Sequence, residues 1–418
     1  MDRPSPAAAG GIRRPVTTQA PVEHPTGRVD LKLEHLLDPL QSVGQAKQVF
    51  PERWRTREFV RRGERHFAGD RRYDFRAVLD GFASRIDDSA ADESLFERIC
   101  ASYQKAAQLE QTAPETYRAS SWWQERREGH LKPVIDALLT HDIAALRKMY
   151  KNFYRDPCSA GLVIAQRLAK RYFGHRIKDL DRRLYLLDSL YRLDYWQQAM
   201  GDGFSVADLF GPSVGNPFGV VIDGVLVRSG AEYQHYCAHR IGCLAGSEKL
   251  TVAEIGGGFG GMAYYLLRDR PGTTYIGFDV PESIALTTYY LLKSFPSLKV
   301  LLYGEAELTR NSFAEANIVL MPVFQMPAMP QRTVDVSFSS HAMSALSQQA
   351  MTAYIEEVRN MTKHHLLYIG NSHSLELMLE TVRRRYPSWE LVEKRRSGRH
   401  DHRIDDFTEM EFSYRFRG

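Results

Sequence analysis

The spacing of apolar positions changes character near residue 200. Before it, apolar residues recur at intervals of three and four: Phe75, Val78, Leu79 and Phe82; Leu95, Ile99, Tyr103 and Ala106; more loosely Leu138, Ile143, Leu146 and Tyr150; then Leu186, Leu187, Leu190 and Leu193. That period marks helices burying one face, and few glycines interrupt it. Residues 29–200 are therefore expected to form an all-helical N-terminal domain, serving acceptor binding or oligomerisation. After residue 200, short apolar runs alternate with helical stretches and turn signals. Runs at 252–255, 275–278, 334–340 and 364–369 predict strands, each followed by a helix, which is the pattern of a parallel α/β sheet. Runs at 298–303 and 317–321 compete for the place of third strand. Two more strands, near 389–394 and 407–416, close the chain. Asp223-Gly224 between two apolar runs predicts a hairpin leading into this second domain, residues 201–418.

The stretch after the first of these strands carries the candidate chemistry. It reads AEIGGGFGGMAYYL, and the next strand ends on Asp279. Glycines at a strand's carboxyl end, opening a helix, are how open α/β sheets approach a nucleotide. Gly256, Gly258 and Gly261 satisfy the dinucleotide pattern G-x-G-x-x-G. Glu254, Gly256, Gly258 and Gly260 equally satisfy E-x-G-x-G-x-G, which resembles motif I of class I S-adenosylmethionine (SAM) methyltransferases. An acid at Glu254 suits a ligand bearing an ammonium and a sulfonium. The remaining length suits one seven-stranded sheet, with no second dinucleotide half evident. SAM is thus the expected cofactor, and Asp279 the expected partner of its ribose hydroxyls.

With that cofactor, the fourth strand's carboxyl end faces the methyl group. His341 follows it directly and is the first candidate base for deprotonating an acceptor hydroxyl, since imidazole titrates near neutrality. His373, after the fifth strand, is the second. The alternative for each is a structural histidine bonded to its own turn. The loop RRSGRHDHRIDD offers Arg395, Arg396, Arg399 and Arg403 for acidic groups on a substrate. His400, Asp401, His402, Asp405 and Asp406 are candidate metal ligands there, against the commoner reading of a solvated polar loop, and no metal is assigned. In the helix at 231–245, His235 and His239 lie one turn apart. Cys243 sits ~12 Å beyond His235 at ~1.5 Å per residue, so that helix alone cannot enclose a four-ligand zinc ion. It is expected to pack over the cofactor instead.

Composition narrows the class. The 418 residues, 43% hydrophobic and 25% charged, suit two packed domains. A net charge of +4 does not by itself call for nucleic acid. Four scattered cysteines suit a reducing, cytoplasmic setting, and no apolar run is long enough to span a membrane. The Pro-rich residues 1–28 read as a disordered tail. Trp122, Trp123, Tyr150, Tyr154, Tyr172, Tyr185, Tyr191 and Trp196 enrich the helical half in rings. Rings stack on sugars, but at helical spacing they are commonly core.

Three further segments carry a narrower resemblance: GFDVPE with its leucine-rich helix, VDVSFSSHAMSALS, and LLYIGNSHS. Together with the glycine stretch they resemble the bacterial sugar O-methyltransferases over roughly residues 211–418. The resemblance implies a Rossmann-like class I methyltransferase domain with SAM held by Glu254, Gly256, Gly257, Gly258, Gly260 and Asp279. It implies a sugar hydroxyl as acceptor, on a nucleotide sugar, polysaccharide or glycosylated natural product, and is compatible with a homo-oligomer. A nucleic-acid methyltransferase, using the eight Lys and Arg between 383 and 403, and an NAD(P)-linked oxidoreductase remain the alternatives.

Overall fold

A computed structural model describes residues 49–86, 93–163, 178–246, 249–398 and 409–416. The tail at 1–28, Tyr172 and residues 399–406 of the arginine-rich loop lie outside them. Among the described residues, seven α-helices precede the first strand: α1 (Val49–His66), α2 (Phe75–Gly81), α3 (Glu93–Glu110), α4 (Ser121–Glu128), α5 (Lys132–Thr140), α6 (Ile143–Tyr150) and α7 (Asp179–Met200). Strands β1 (Gly219–Ile222) and β2 (Val225–Arg228) form the predicted hairpin about Asp223-Gly224, both at positive φ. Helix α8 (Ala231–Ala245) leads into β3 (Thr251–Ile255), α9 (Gly261–Asp269), β4 (Thr274–Asp279) and α10 (Pro281–Ser294). Then follow β5 (Val300–Leu302), α11 (Ser312–Glu315), β6 (Ile318–Pro322), β7 (Val334–Ser340), α12 (Gln348–Met361), β8 (Thr362–Asn371), α13 (Ser372–Arg385), β9 (Trp389–Arg396) and β10 (Glu409–Phe416).

The large sheet is Rossmann-like and mostly parallel, in the order β5-β6-β4-β3-β7-β8-β10-β9. β10 runs antiparallel to both β8 and β9, as expected of a returning last strand. The sheet has eight strands where seven are expected. The two rival runs are both strands: β6 takes the third position beside β4, and β5 adds outside it. The central strands are buried on both faces, Val252, Ala253, Tyr275 and Ile276 completely so. Burying a side chain such as Val252 or Ile276 contributes about 1.5–3 kcal/mol. Chain direction across the sheet reverses at β3, with β4 on one side and β7 on the other. That is the switch point where such sheets bind ligands.

The helices of the N-terminal half share a continuous core with α9 and α10. Phe96 of α3 stacks on Tyr289 of α10 with centroids 5.6 Å apart, and Tyr150 meets the same ring at 5.3 Å. Trp123, Tyr150, Tyr154, Tyr185 and Trp196 are core residues, whereas Trp122 is exposed and packs under the Arg126 guanidinium. Helix α2 has a narrower buried face than its spacing predicts. Val78 and Phe82 are buried, but Phe75 and Leu79 are exposed, because this seven-residue helix packs against the hairpin and α7 and leaves its other side to solvent. Side chains of α3 reach the edge strand β5 and the turn after it. Arg98 donates to the Val300 carbonyl at 3.0 Å and pairs with Glu305 at 2.8 Å, and Lys105 Nζ donates to the Gly304 carbonyl at 2.8 Å.

Candidate cofactor site and candidate base

Ile255 ends β3 opposite Phe278 of β4 and Ser339 of β7. The Gly256 amide donates to the Phe278 carbonyl at 2.7 Å, and the Ser339 hydroxyl to the Ile255 carbonyl at 2.9 Å. The chain then turns through Gly256 (φ +79°), Gly258 (φ +59°) and Gly260 (φ +87°), left-handed values that L side chains rarely adopt. Space demands glycine as well. A Cβ at Gly256 would lie 1.9 Å from the Ala342 methyl, and one at Gly261 would lie 2.3 Å from the Gln234 amide of α8. Left-handed Gly260 caps α9, which begins at Gly261.

Glu254 lies beneath this loop. It is buried, its Oε2 accepts from the Tyr275 hydroxyl at 2.6 Å, and a Cβ at Gly257 would come within 2.8 Å of the same oxygen. Burial pushes its carboxyl up to about 7 against that hydrogen bond, and the Asp279 charge adds to the rise. Asp279 closes β4 and stays partly exposed. Its Oδ2 accepts from the Gly258 amide at 2.9 Å and its Oδ1 from the Val280 amide at 2.7 Å. Burial pushes it up to about 7 against those two amides, with a further rise from Glu282. One carboxylate thus spans both turns, oriented and still open to solvent, above a loop stripped of side chains. The residues fit the nucleoside of a SAM-like ligand: a cradle only glycines can form, and an acid positioned for vicinal hydroxyls.

Pro322 pairs with Asp279 in register, so the turn at Val323–Ala328 begins one residue beyond the acid. Glu305 is held at the sheet edge by Arg98.

His341 is the residue immediately after β7, in a left-handed conformation at φ +60°. Its amide donates to the Ile369 carbonyl of β8 at 2.9 Å, and its carbonyl accepts from Ser344 at 2.8 Å. Its neighbour Ala342 is the residue pressed against Gly256. Its Nε2 lies 2.8 Å from Oε2 of Glu409, a carboxylate with 4% of its side chain exposed at the start of β10. Tyr233 of α8 lies with its ring 6.3 Å from the His341 ring, and its hydroxyl is bonded to that of Ser340. The structure thus joins His341 to the glycine loop and to an acid that no sequence motif flags.

His373 is the second residue of α13, because β8 continues to Asn371 and no loop intervenes; its side chain lies outside the described residues. Arg395 and Arg396, expected in the arginine-rich loop, belong instead to β9, where they pair with β10; Arg395 is engaged with Glu411 and donates to the Tyr236 hydroxyl at 2.9 Å. Helix α8 packs on β7, β8 and α9, beside the site as expected. His235 faces inward and accepts from Trp196 Nε1 at 3.3 Å; burial pushes it down to about 4, so it is neutral. His239 contacts Cys243 Sγ at 3.3 Å. Among the described residues no group of three His, Cys, Asp or Glu side chains is placed to hold a metal, and no helix is long and apolar enough to cross a membrane.

No family model and no curated protein matches the chain. Solved structures align with part of it at low identity. A SAM-dependent methyltransferase from Aquifex aeolicus aligns at 13% identity over 45% of this chain and 94% of its own, with a TM-score of 0.31. Magnesium protoporphyrin IX methyltransferase from Synechocystis, with bound SAM, aligns at 11% over 54% and 91%, with a TM-score of 0.31. A mitomycin 7-O-methyltransferase aligns at 13% over 53% and 60%, with a TM-score of 0.30.

Proposed function

We propose that the protein is a SAM-dependent O-methyltransferase whose acceptor is a hydroxyl of a sugar-containing molecule. The observation that carries the reading is one continuous arrangement at the switch point. There the glycine cradle, Asp279 and the His341–Glu409 pair are joined through the Gly256–Ala342 contact. When bound, the cofactor supplies an electrophilic methyl on a sulfonium. Asp279 holds the ribose hydroxyls, and Gly256–Gly260 lets the backbone lie against the ligand. The His341 imidazole takes the acceptor's proton as its oxygen gains the methyl, and the Glu409 carboxylate, 2.8 Å from Nε2, stabilises the imidazolium that results. The sugar acceptor rests on the resemblance of the D-V-P-E and S-x-x-M-S segments.

Calorimetric titration with S-adenosylhomocysteine (SAH), and separately with NADH, tests the cofactor. Tight SAH binding without NADH binding is expected; the reverse overturns the reading. Sugars and nucleotide sugars are then screened as methyl acceptors.

A further inference from the structure

Phe259 is the one residue with a side chain between Gly256 and Gly261. It is 3% exposed, and its ring is enclosed by those of Phe153, Tyr154 and Tyr290, with centroids 5.4, 5.3 and 5.2 Å away. Phe153 and Tyr154 come from the helical half and Tyr290 from α10. Gly215 makes room for this box, since a Cβ there would lie 2.0 Å from the Phe153 ring.

Arg228, the last residue of β2, is buried in the same box. Its guanidinium carbon lies 6.0 Å from the centre of the Phe259 ring, 5.7 Å from Tyr264, 5.1 Å from Tyr265 and 5.7 Å from Tyr290. Nη1 donates to the Tyr154 hydroxyl. Among the described residues, Nε and Nη2 have no hydrogen-bond partner and no carboxylate pairs with the guanidinium. The backbone closes over it at Gly211, where a Cβ would lie 2.7 Å from Nε. An unpaired buried cation costs stability that an apolar side chain of similar length would not. What the cation adds is direction. Its attraction to the ring faces holds only while the rings surround it, so a ring that withdraws leaves the charge less compensated.

We infer that Arg228 is a positioning residue for the glycine loop: its charge holds the Phe259 ring, and with it the turn Gly258–Gly260, in the geometry that receives the nucleoside. The inference rests on the proposed cofactor. The Gly258 amide, which donates to Asp279, immediately precedes the ring so held.

The test compares wild type, Arg228→Lys and Arg228→Met by denaturant unfolding, by SAH calorimetry and by amide hydrogen exchange of the ligand-free protein. Arg228→Met is expected to unfold at the same denaturant concentration as wild type or a higher one, because the unpaired charge is gone. Its loop amides, Gly256 to Met262, are expected to exchange roughly tenfold faster while amides elsewhere keep their rates. SAH binding is expected to weaken about tenfold. Arg228→Lys keeps the charge and is expected to stay within about threefold of wild type in both readings. Wild-type loop exchange or wild-type SAH affinity in folded Arg228→Met overturns the inference, and so does a Lys variant as impaired as the Met variant. A loss of affinity matched by lower stability and faster exchange throughout the chain marks an ordinary core residue and overturns it too. Should Arg228→Met fail to fold, Phe259→Leu withdraws the ring and leaves the cation. Faster loop exchange and weaker SAH binding are expected there, and wild-type values overturn the inference. Wild type that binds no SAH fails the cofactor reading, and the loop exchange rates, taken without ligand, then decide the inference by themselves.

Discussion

His341 Nε2 lies 2.8 Å from Oε2 of Glu409, pairing the end of β7 with the start of β10. A partly exposed imidazole is thus set beside a buried carboxylate. His341→Ala is expected to lower methyl transfer by roughly 10²-fold or more while leaving SAH affinity intact. Glu409→Gln keeps the shape but withdraws the charge that stabilises the imidazolium, and is expected to cost roughly 10-fold or more. Single-turnover rates with a working acceptor, alongside SAH calorimetry, separate chemistry from binding. Full activity in His341→Ala would remove it as the base.

Asp279→Ala should weaken SAH binding by about tenfold or more, because the ribose hydroxyls lose a charged acceptor. Burial pushes Asp279 up to about 7, so SAH affinity should rise with pH through that value in wild type. Asp279→Asn should lose most of this dependence, since an amide does not titrate. Affinity unchanged in both variants would take Asp279 out of the site.

Gly256→Ala places a methyl 1.9 Å from that of Ala342, at a φ of +79°. The strain of such a position is about 1–3 kcal/mol before any clash is counted. Thermal unfolding should fall accordingly and SAH binding should be lost. A variant with wild-type stability and affinity would show that the loop after β7 can retreat without cost.

Glu254 predicts a pH dependence of stability. Its carboxyl has an ordinary value of 4.5 and is pushed up to about 7 in the fold. The folded state therefore binds the proton more tightly than the unfolded state. This stabilisation is fully present below about 4.5 and lost as pH rises through about 7. The shift corresponds to about 3 kcal/mol. Denaturant unfolding at pH 5 and pH 8 should show Glu254→Gln gaining on wild type at the higher pH. A constant difference between the two proteins would rule this carboxyl out as the source.

Local pattern made much of this architecture readable. The run at 334–340 is β7 residue for residue, so His341 could be placed at a carboxyl strand end. Both glycine turns and Asp279 follow from one β-turn-α-β stretch. What pattern could not supply is pairing at long range. Glu409 becomes legible once the last strand is taken to return beside β8, because its register sets Glu409 opposite Asn371. Trp123 and Arg127 carry no such signal. They meet Glu282 from more than 150 positions away, and their spacing reads as ordinary amphipathic helix. The eighth strand is hidden for a related reason: two short apolar runs compete for one place by pattern, and edge addition satisfies both.

The α3 side chains that reach β5 have a consequence for handling the molecule. An uncovered strand edge offers a row of unpaired amides and carbonyls to any passing chain. Here Arg98 and Lys105 occupy carbonyls along that margin. A fragment trimmed to the sheet-bearing half would lose this cover, and with it the Phe96 and Tyr150 rings packed on Tyr289. Its failure in a soluble expression trial would report a templating surface laid bare, and would say nothing about whether the remaining half can hold a ligand.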